Sequence, residues 1–302
     1  MTDPTAPAAA TPVVAVQPDP EITARLKIAL RAAETAGGIL MRHLGKLERI
    51  EKKAAVDLVT VADRESEACI LTELRLAFPD DVVIGEETDG GAGRSALKVR
   101  AEGAHYAWLV DPLDGTTNFA HGYLQFCVSI GLLRDGVPVL GVVHAPARRE
   151  TYVGGEGVHA TCNGEPIAVS RVETLGDALV ATGFPYDRRS RIDILLARLR
   201  AALLQVQGIR RAGSAALDLC EVAAGRLDAY WEEGLQPWDL AAGVAIVRAA
   251  GGGVGGWQGD APWHAFTGVA AAGNPQTQPA LVELLREADR GQAEAAGAKA
   301  RG

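Results

Sequence analysis

Behind Asp19-Pro20, apolar residues recur at Ile22, Leu26, Leu30, Ala33, Ile39 and Leu40 with helical spacing. A capping carboxylate followed by proline marks where this helix begins, and Gly45 marks its end. Residues 56–61 read as a short strand or extended turn. Asp63 then stands as the N-cap of a second helix. Its buried stripe is Ile70, Leu71, Leu74 and Phe78, and Pro79 stops it. Val82, Val83 and Ile84 predict a strand that carries Gly85, Glu86 and Glu87 at its C-terminal end, before a glycine loop at 90–93. The apolar run from Tyr106 to Val110 predicts a buried strand that ends in Asp111.

From Phe126 the pattern changes to a meander of strands at 126–133, 137–144, 151–154 and 158–161. Arg134-Asp135-Gly136 and Cys162-Asn163-Gly164 are its turn signals. Beyond Arg171, strands at 178–182 and 227–231 mix with helices at 192–204, at 214–224 behind Ser214, and from Asp239 to Ala250. The glycines at 251–256 close the last of these. The order divides the chain into an N-terminal α+β half, 20–170, and a C-terminal α/β half, 171–288. Residues 1–19 and 289–302 read as disordered tails, for want of periodicity.

Composition narrows the classes. Hydrophobic residues make up 48% of the chain, enough for a large core, yet no apolar run reaches membrane-spanning length. The start lacks the basic-then-apolar order of a signal peptide. The cysteines, Cys69, Cys127, Cys162 and Cys220, show no Cys-x-x-Cys spacing and sit in apolar stretches, which favours free thiols and the cytoplasm. The formal net charge is −8, and no basic cluster adjoins the acidic motifs in sequence. Nucleic acid is disfavoured as a partner, and so is direct capture of a phosphate dianion without a cation.

Acidic residues gather at element ends in Asp57-Leu58-Val59-Thr60 with Asp63, in Gly85-Glu86-Glu87, in Asp111-Pro112-Leu113-Asp114-Gly115-Thr116-Thr117, and in Trp238-Asp239. Singly each has a plain use. Asp63 and Asp239 could cap helices, Glu86 and Glu87 could be solvated, and Asp114-Gly115 could be a turn. Asp111 resists this, because a carboxylate ending a buried strand is costly without a partner. Together the segments suit a hard cation held against a phosphate, with Mg²⁺ the natural choice.

As a set these residues resemble the inositol monophosphatase family of magnesium-dependent, lithium-sensitive phosphatases. The family's central motif stands here as Asp111 to Phe119 without a mismatch. Its Trp-Asp-x-Ala-Ala-Gly motif stands as Trp238 to Gly243, with Ala249 where members often have Glu. The resemblance implies a layered αβαβα sandwich, α+β or α/β in class, of the inositol monophosphatase and fructose-1,6-bisphosphatase type. It implies two or three Mg²⁺ ions held by Glu86, Asp111, the Leu113 carbonyl, Asp114 and Asp239, of which all but Asp111 also border the substrate. Gly115 and Thr116 amides would face the phosphate. Asp63 and Thr116, with Glu86 nearby, would orient and deprotonate the attacking water. Lys52 would lie near a mobile metal loop, and Gly213, Ser214, Ala215 and Glu232 would contact the alcohol. The implied substrate is a phosphorylated polyol such as inositol 1-phosphate, cleaved by a cytoplasmic homodimer. Histidinol phosphate, fructose 1,6-bisphosphate and a 3′-phosphoadenosine nucleotide are the alternatives within the family. A non-catalytic scaffold is the alternative outside it. The aspartyl-phosphate phosphatases are set aside, since their Asp-x-Asp spacing is one residue shorter.

Overall fold

The computed structural model describes residues 19–46, 50–52, 58–259 and 262–299. Asp57 and the expected tail before Asp19 lie outside the described residues. Helix α1 (Pro20–His43) opens as the sequence predicts, with Asp19 accepting the Glu21 amide. Strands β1 (Ile50–Lys52) and β2 (Leu58–Thr60) pair antiparallel. Helix α2 (Val61–Ala77) corrects the expected cap. Thr60 is the N-cap, and Asp63 sits three residues in, closing a capping box with it. Both positions face orphan amides, so spacing alone does not separate them.

Strand β3 (Val82–Gly85) runs into the one-turn helix α3 (Glu86–Asp89), and α4 (Arg94–Glu102) follows the glycine loop. The sequence does not announce α4, because only Leu97 and Ala101 of it are buried. Strand β4 (Tyr106–Asp114) continues past Asp111 instead of ending there, and α5 (Thr116–Ala120) follows. The meander is β5 (Cys127–Arg134), β6 (Val137–Ala145), β7 (Glu150–Gly155), β8 (Val158–Cys162) and the short β9 (Glu165–Pro166). Asp135-Gly136 and Asn163-Gly164 all adopt positive φ, as tight hairpin turns require. The sheet order is β3-β4-β5-β6-β7-β8-β9, with β3 and β4 parallel and the remaining neighbours antiparallel.

Next come β10 (Leu179–Thr182), α6 (Ile192–Leu203), β11 (Gly208–Arg210), α7 (Ala215–Ala223), β12 (Ala229–Glu233) and α8 (Pro237–Ala249). Helix α8 starts two residues before the expected Asp239, behind Gln236. Strand β13 (Gly253–Gly255) occupies the glycine stretch, and β14 (Val269–Gly273) and α9 (Thr277–Lys299) end the described fold. Helix α9 overrides the tail expected from 289. Its last turns are rich in Ala and Glu, strong helix formers that carry no apolar stripe to betray them. The second sheet has the order β11-β10-β12-β14-β13.

The layers follow from the buried clusters. Ala29, Ala36 and Leu40 of α1 and Ile70 and Leu74 of α2 cover Trp108, Val128, Ile130 and Val142 on one face of the seven-stranded sheet. Helices α7 and α8 fill the middle, with Leu219, Val222, Val244 and Val247 between Val143 and Tyr152 of the first sheet and Tyr230 and Ala272 of the second. Ala202 of α6 and Leu281 and Leu285 of α9 cover the far side. The result is the expected mixed α/β sandwich in αβαβα order. Helix α8 is apolar nearly all round because it is covered on both sides. Its backbone enters a groove made by glycine: a Cβ on Gly141 would collide with the Ala242 carbonyl oxygen.

Candidate active site

Residues three apart in a regular strand face opposite sides of the sheet. In β4 the register shifts between Asp111, opposite Ser129, and Asp114, opposite Cys127. This bulge adds one residue and restores parity, so both carboxylates line one cavity. Pro112 sits inside the bulge, where it has no amide to withhold from the ladder. Asp111 Oδ1 accepts the Leu113 amide at 2.9 Å. Gly115 then turns the chain with φ 95°, and a Cβ there would lie 2.8 Å from the Gln125 carbonyl oxygen.

Thr116 Oγ1, on the first residue of α5, lies 3.0 Å from the Leu113 carbonyl oxygen and 3.3 Å from Asp63 Oδ1. The other Asp63 oxygen accepts the Thr60 amide at 2.8 Å and the Thr60 hydroxyl at 2.5 Å. The capping box therefore aims one carboxylate oxygen at Thr116. Asp114 Oδ2 accepts the Ser214 hydroxyl at 2.6 Å and the Ala216 amide at 2.8 Å. Asn118 Nδ2 reaches the Ala212 and Gly213 carbonyls at 2.9 and 3.2 Å. These bonds bind the start of α7 to the central motif. Asp239 Oδ2 accepts the Gln236 amide at 2.8 Å at the start of α8.

The cavity has a volume of about 1110 Å³. Glu86, Asp111, Leu113, Asp114, Gly115, Thr116, Gly213, Glu232 and Asp239 all line it. Asp63 and Ser214 stand one layer back, behind Thr116 and Asp114, and Ala215 is buried beside Ser214. The Lys52 side chain lies outside the described residues. Burial raises the Asp111 carboxyl well above its usual range, and the charges of Glu86, Asp114 and Asp239 raise it further. Asp239 rises likewise, through burial and then through Asp114 and Glu86. Asp114 is raised by burial and held back by its bonds from Ser214 and Ala216. Four acids from three elements thus share one field.

No three acidic, histidine or cysteine side chains among the described residues converge as a complete cage for an ion. Magnesium does not need one, since it binds through one or two carboxylates together with substrate phosphate and water. An all-oxygen set in mutual repulsion fits such an ion.

Several site residues escape a reading by motif. Arg64, Arg188 and Arg211 also line the cavity, which corrects the impression of a site without basic groups. Arg188 and Arg211 come from segments far from the motif in sequence. Burial pushes the Glu232 carboxyl up to about 7, against the Tyr230 hydroxyl at 2.8 Å and the Arg211 charge. Gly183 makes room for that carboxylate, because a Cβ there would run into it. Asp218 is buried nearby, raised by its burial and by the charge of Glu232. Burial disfavours the charged form of both acids.

These features agree with comparison to known proteins. The chain matches the inositol monophosphatase family over residues 21–290. It is 42% identical over 261 residues to an inositol-1-monophosphatase of Synechocystis sp., covering 86% of this chain and 88% of that protein. It is 43% identical over 268 residues to the Nus factor SuhB of Pseudomonas aeruginosa, covering 86% and 95% respectively. The inositol monophosphatase structure from Anabaena (Nostoc) sp. superposes with a TM-score of 0.77 at 40% identity, over 88% of this chain and 97% of that one. A match of this extent, with the layered fold and the clustered acids in one cavity, makes the chain a phosphoric monoester hydrolase that belongs to the generally metal-dependent inositol monophosphatase family.

Proposed function

We propose that the chain hydrolyses phosphate monoesters of polyols with the help of Mg²⁺, inositol 1-phosphate being the favoured substrate. The observation that carries this reading is the field shared by Asp111, Asp114, Asp239 and Glu86 around one cavity. Two such charges about 5 Å apart repel by roughly 3 kcal/mol at an effective dielectric of about 20. They would repel a phosphate as well, unless cations stand between. Glu86, Asp111, Asp114, Asp239 and the Leu113 carbonyl would hold two or three ions. When bound, Mg²⁺ polarises the phosphate, acidifies water and neutralises the leaving alkoxide. The Gly115 and Thr116 amides face the phosphate. Thr116 holds the attacking water, and Asp63 behind it receives the proton through the Thr116 hydroxyl. The Ser214 hydroxyl is already given to Asp114, and Ser214 and Ala215 stand behind the cavity wall, so Gly213 is the residue of 213–215 placed to meet the alcohol.

The test is phosphate release across a panel of esters. Inositol 1-phosphate is expected to turn over in Mg²⁺, to stop in EDTA, to recover on adding magnesium, and to slow in Li⁺. Full activity in metal-free buffer would overturn the reading. Faster release from histidinol phosphate, fructose 1,6-bisphosphate or a 3′-phosphoadenosine nucleotide would replace the substrate.

Glu232 tests the polyol assignment. Removing a charged acceptor for a substrate hydroxyl costs about 1.5–3 kcal/mol in binding. Glu232→Gln should raise KM for inositol 1-phosphate, with a smaller change for an aryl phosphate. In the parent protein the same KM should rise as pH falls through about 7, where Glu232 takes up a proton, and this dependence should vanish in the variant. Equal losses on both esters would assign Glu232 to the metals or the fold.

A second reading, a role as a Nus factor beside catalysis, is favoured by the name of the 43% identical relative. A substitution at Asp111 separates the two, because it removes a charge from the cavity without touching the exposed surface.

A further inference from the structure

Glu67 lies one turn after Asp63 on α2 and shares its face. It is 3% exposed. Its Oε2 accepts the Glu87 amide at 2.7 Å, and its Oε1 accepts the Thr88 hydroxyl. Gly85 packs against the same carboxylate, and a Cβ there would lie 2.6 Å from Oε2. The residues on both sides of Glu86 therefore rest on one buried carboxylate. Between Asp63 and Glu67, the Ser66 hydroxyl donates to the Pro112 carbonyl at 3.2 Å. One face of α2 thus touches three separate segments of the site: Thr116 through Asp63, the β4 bulge through Ser66, and the Glu86 turn through Glu67.

We propose that Glu67 is a positioning residue for Glu86. Its carboxylate fixes the 85–88 turn so that Glu86 stands at the cavity in register with Asp111. Without that anchor the turn keeps the Asp89 carboxylate's bonds to the Gly85 amide and to Arg100 but loses the contacts that hold residues 87 and 88 over α2. Glu67 does not touch the substrate, so its effect passes through the affinity of the site for its ion. The inference rests on the metal-dependent reading above.

The test is titration calorimetry of the full chain with Mg²⁺ in the absence of substrate, beside the Mg²⁺ dependence of phosphate release. Residues that orient a metal ligand typically carry about 10–100-fold in affinity. Glu67→Ala should weaken Mg²⁺ binding by about tenfold or more. At saturating Mg²⁺ it should recover kcat to within about threefold, because the reacting groups are unchanged. Glu67→Gln keeps a carbonyl acceptor for the Glu87 amide and should restore most of the affinity. Thr88→Val removes one of the two contacts and leaves α2 intact. If Glu67→Ala does not fold, Thr88→Val decides: weaker Mg²⁺ binding upholds the inference, and parent-like binding overturns it. A Glu67→Ala protein with a lowered Tm in EDTA but unchanged Mg²⁺ affinity makes Glu67 structural and overturns it too. A parent protein that binds no Mg²⁺ removes the metal reading, and this inference falls with it.

Discussion

Replacing Asp111 by asparagine is expected to lower phosphate release by about three orders of magnitude or more, while the protein stays folded. Losses of that size are ordinary where a charge stabilises the transition state directly. Asp111 is 3% exposed, and three other acids act on it. Its charge is therefore unfavourable in the protein alone and favourable only with a cation beside it. Two measurements follow. In EDTA, the variant's Tm should match or exceed that of the parent, since a repulsive charge has gone. On adding Mg²⁺, the parent's Tm should rise more than the variant's, because a ligand that binds only the folded state stabilises it. The side-chain carbonyl of the new asparagine still accepts the Leu113 amide, so the bulge has no reason to reorganise. A variant with near-parent turnover would remove Asp111 from the chemistry.

The second large effect is expected at Asp63. This carboxylate is fully buried, fixed on one oxygen by Thr60 and turned toward Thr116 on the other. Asp63→Asn retains an acceptor for the capping box but cannot take up a proton. General-base catalysis contributes about 10²–10⁴-fold, so kcat should fall within that range with KM little changed. The stability cost should be that of a weakened cap, about 1 kcal/mol. Steady-state kinetics beside a melting curve separate the two. A kcat within threefold of the parent would reduce Asp63 to a helix cap.

The central motif and the Trp-Asp motif carry most of the site in contiguous residues, so Asp111, Asp114, Thr116 and Asp239 can be read directly from the chain. Their joint orientation cannot. The register shift in β4 is a property of pairing with β5, and nothing in Asp111-Pro112-Leu113-Asp114 states that the strand continues through it. Asp63 illustrates a subtler limit. Carboxylates at the cap and at the third position of a helix satisfy the same orphan amides, and only the tertiary contact with Thr116 sets this one apart from a plain cap. Arg188, Arg211 and Gly183 reach the site through long-range folding, and they carry no local signature. Helices α4 and α9 show the reverse case. Propensity shapes them as much as burial does, so a search for apolar periodicity passes over α4 and the end of α9.

Helix α8 also bears on how the chain acquires its structure. It covers the inner face of the seven-stranded sheet, which is built from residues about a hundred positions earlier, and the second sheet packs on its other side. During synthesis that inner face is complete long before its cover emerges. A nascent chain ending near 236 presents an uncovered apolar sheet, the kind of species that aggregates or engages chaperones. Contacts of such long sequence separation also slow the search for the native state. The last candidate ligand, Asp239, sits on the first turn of this helix. Assembly of the acid cluster therefore coincides with closure of the core, and a chain that has not finished folding has not yet gathered its four acids.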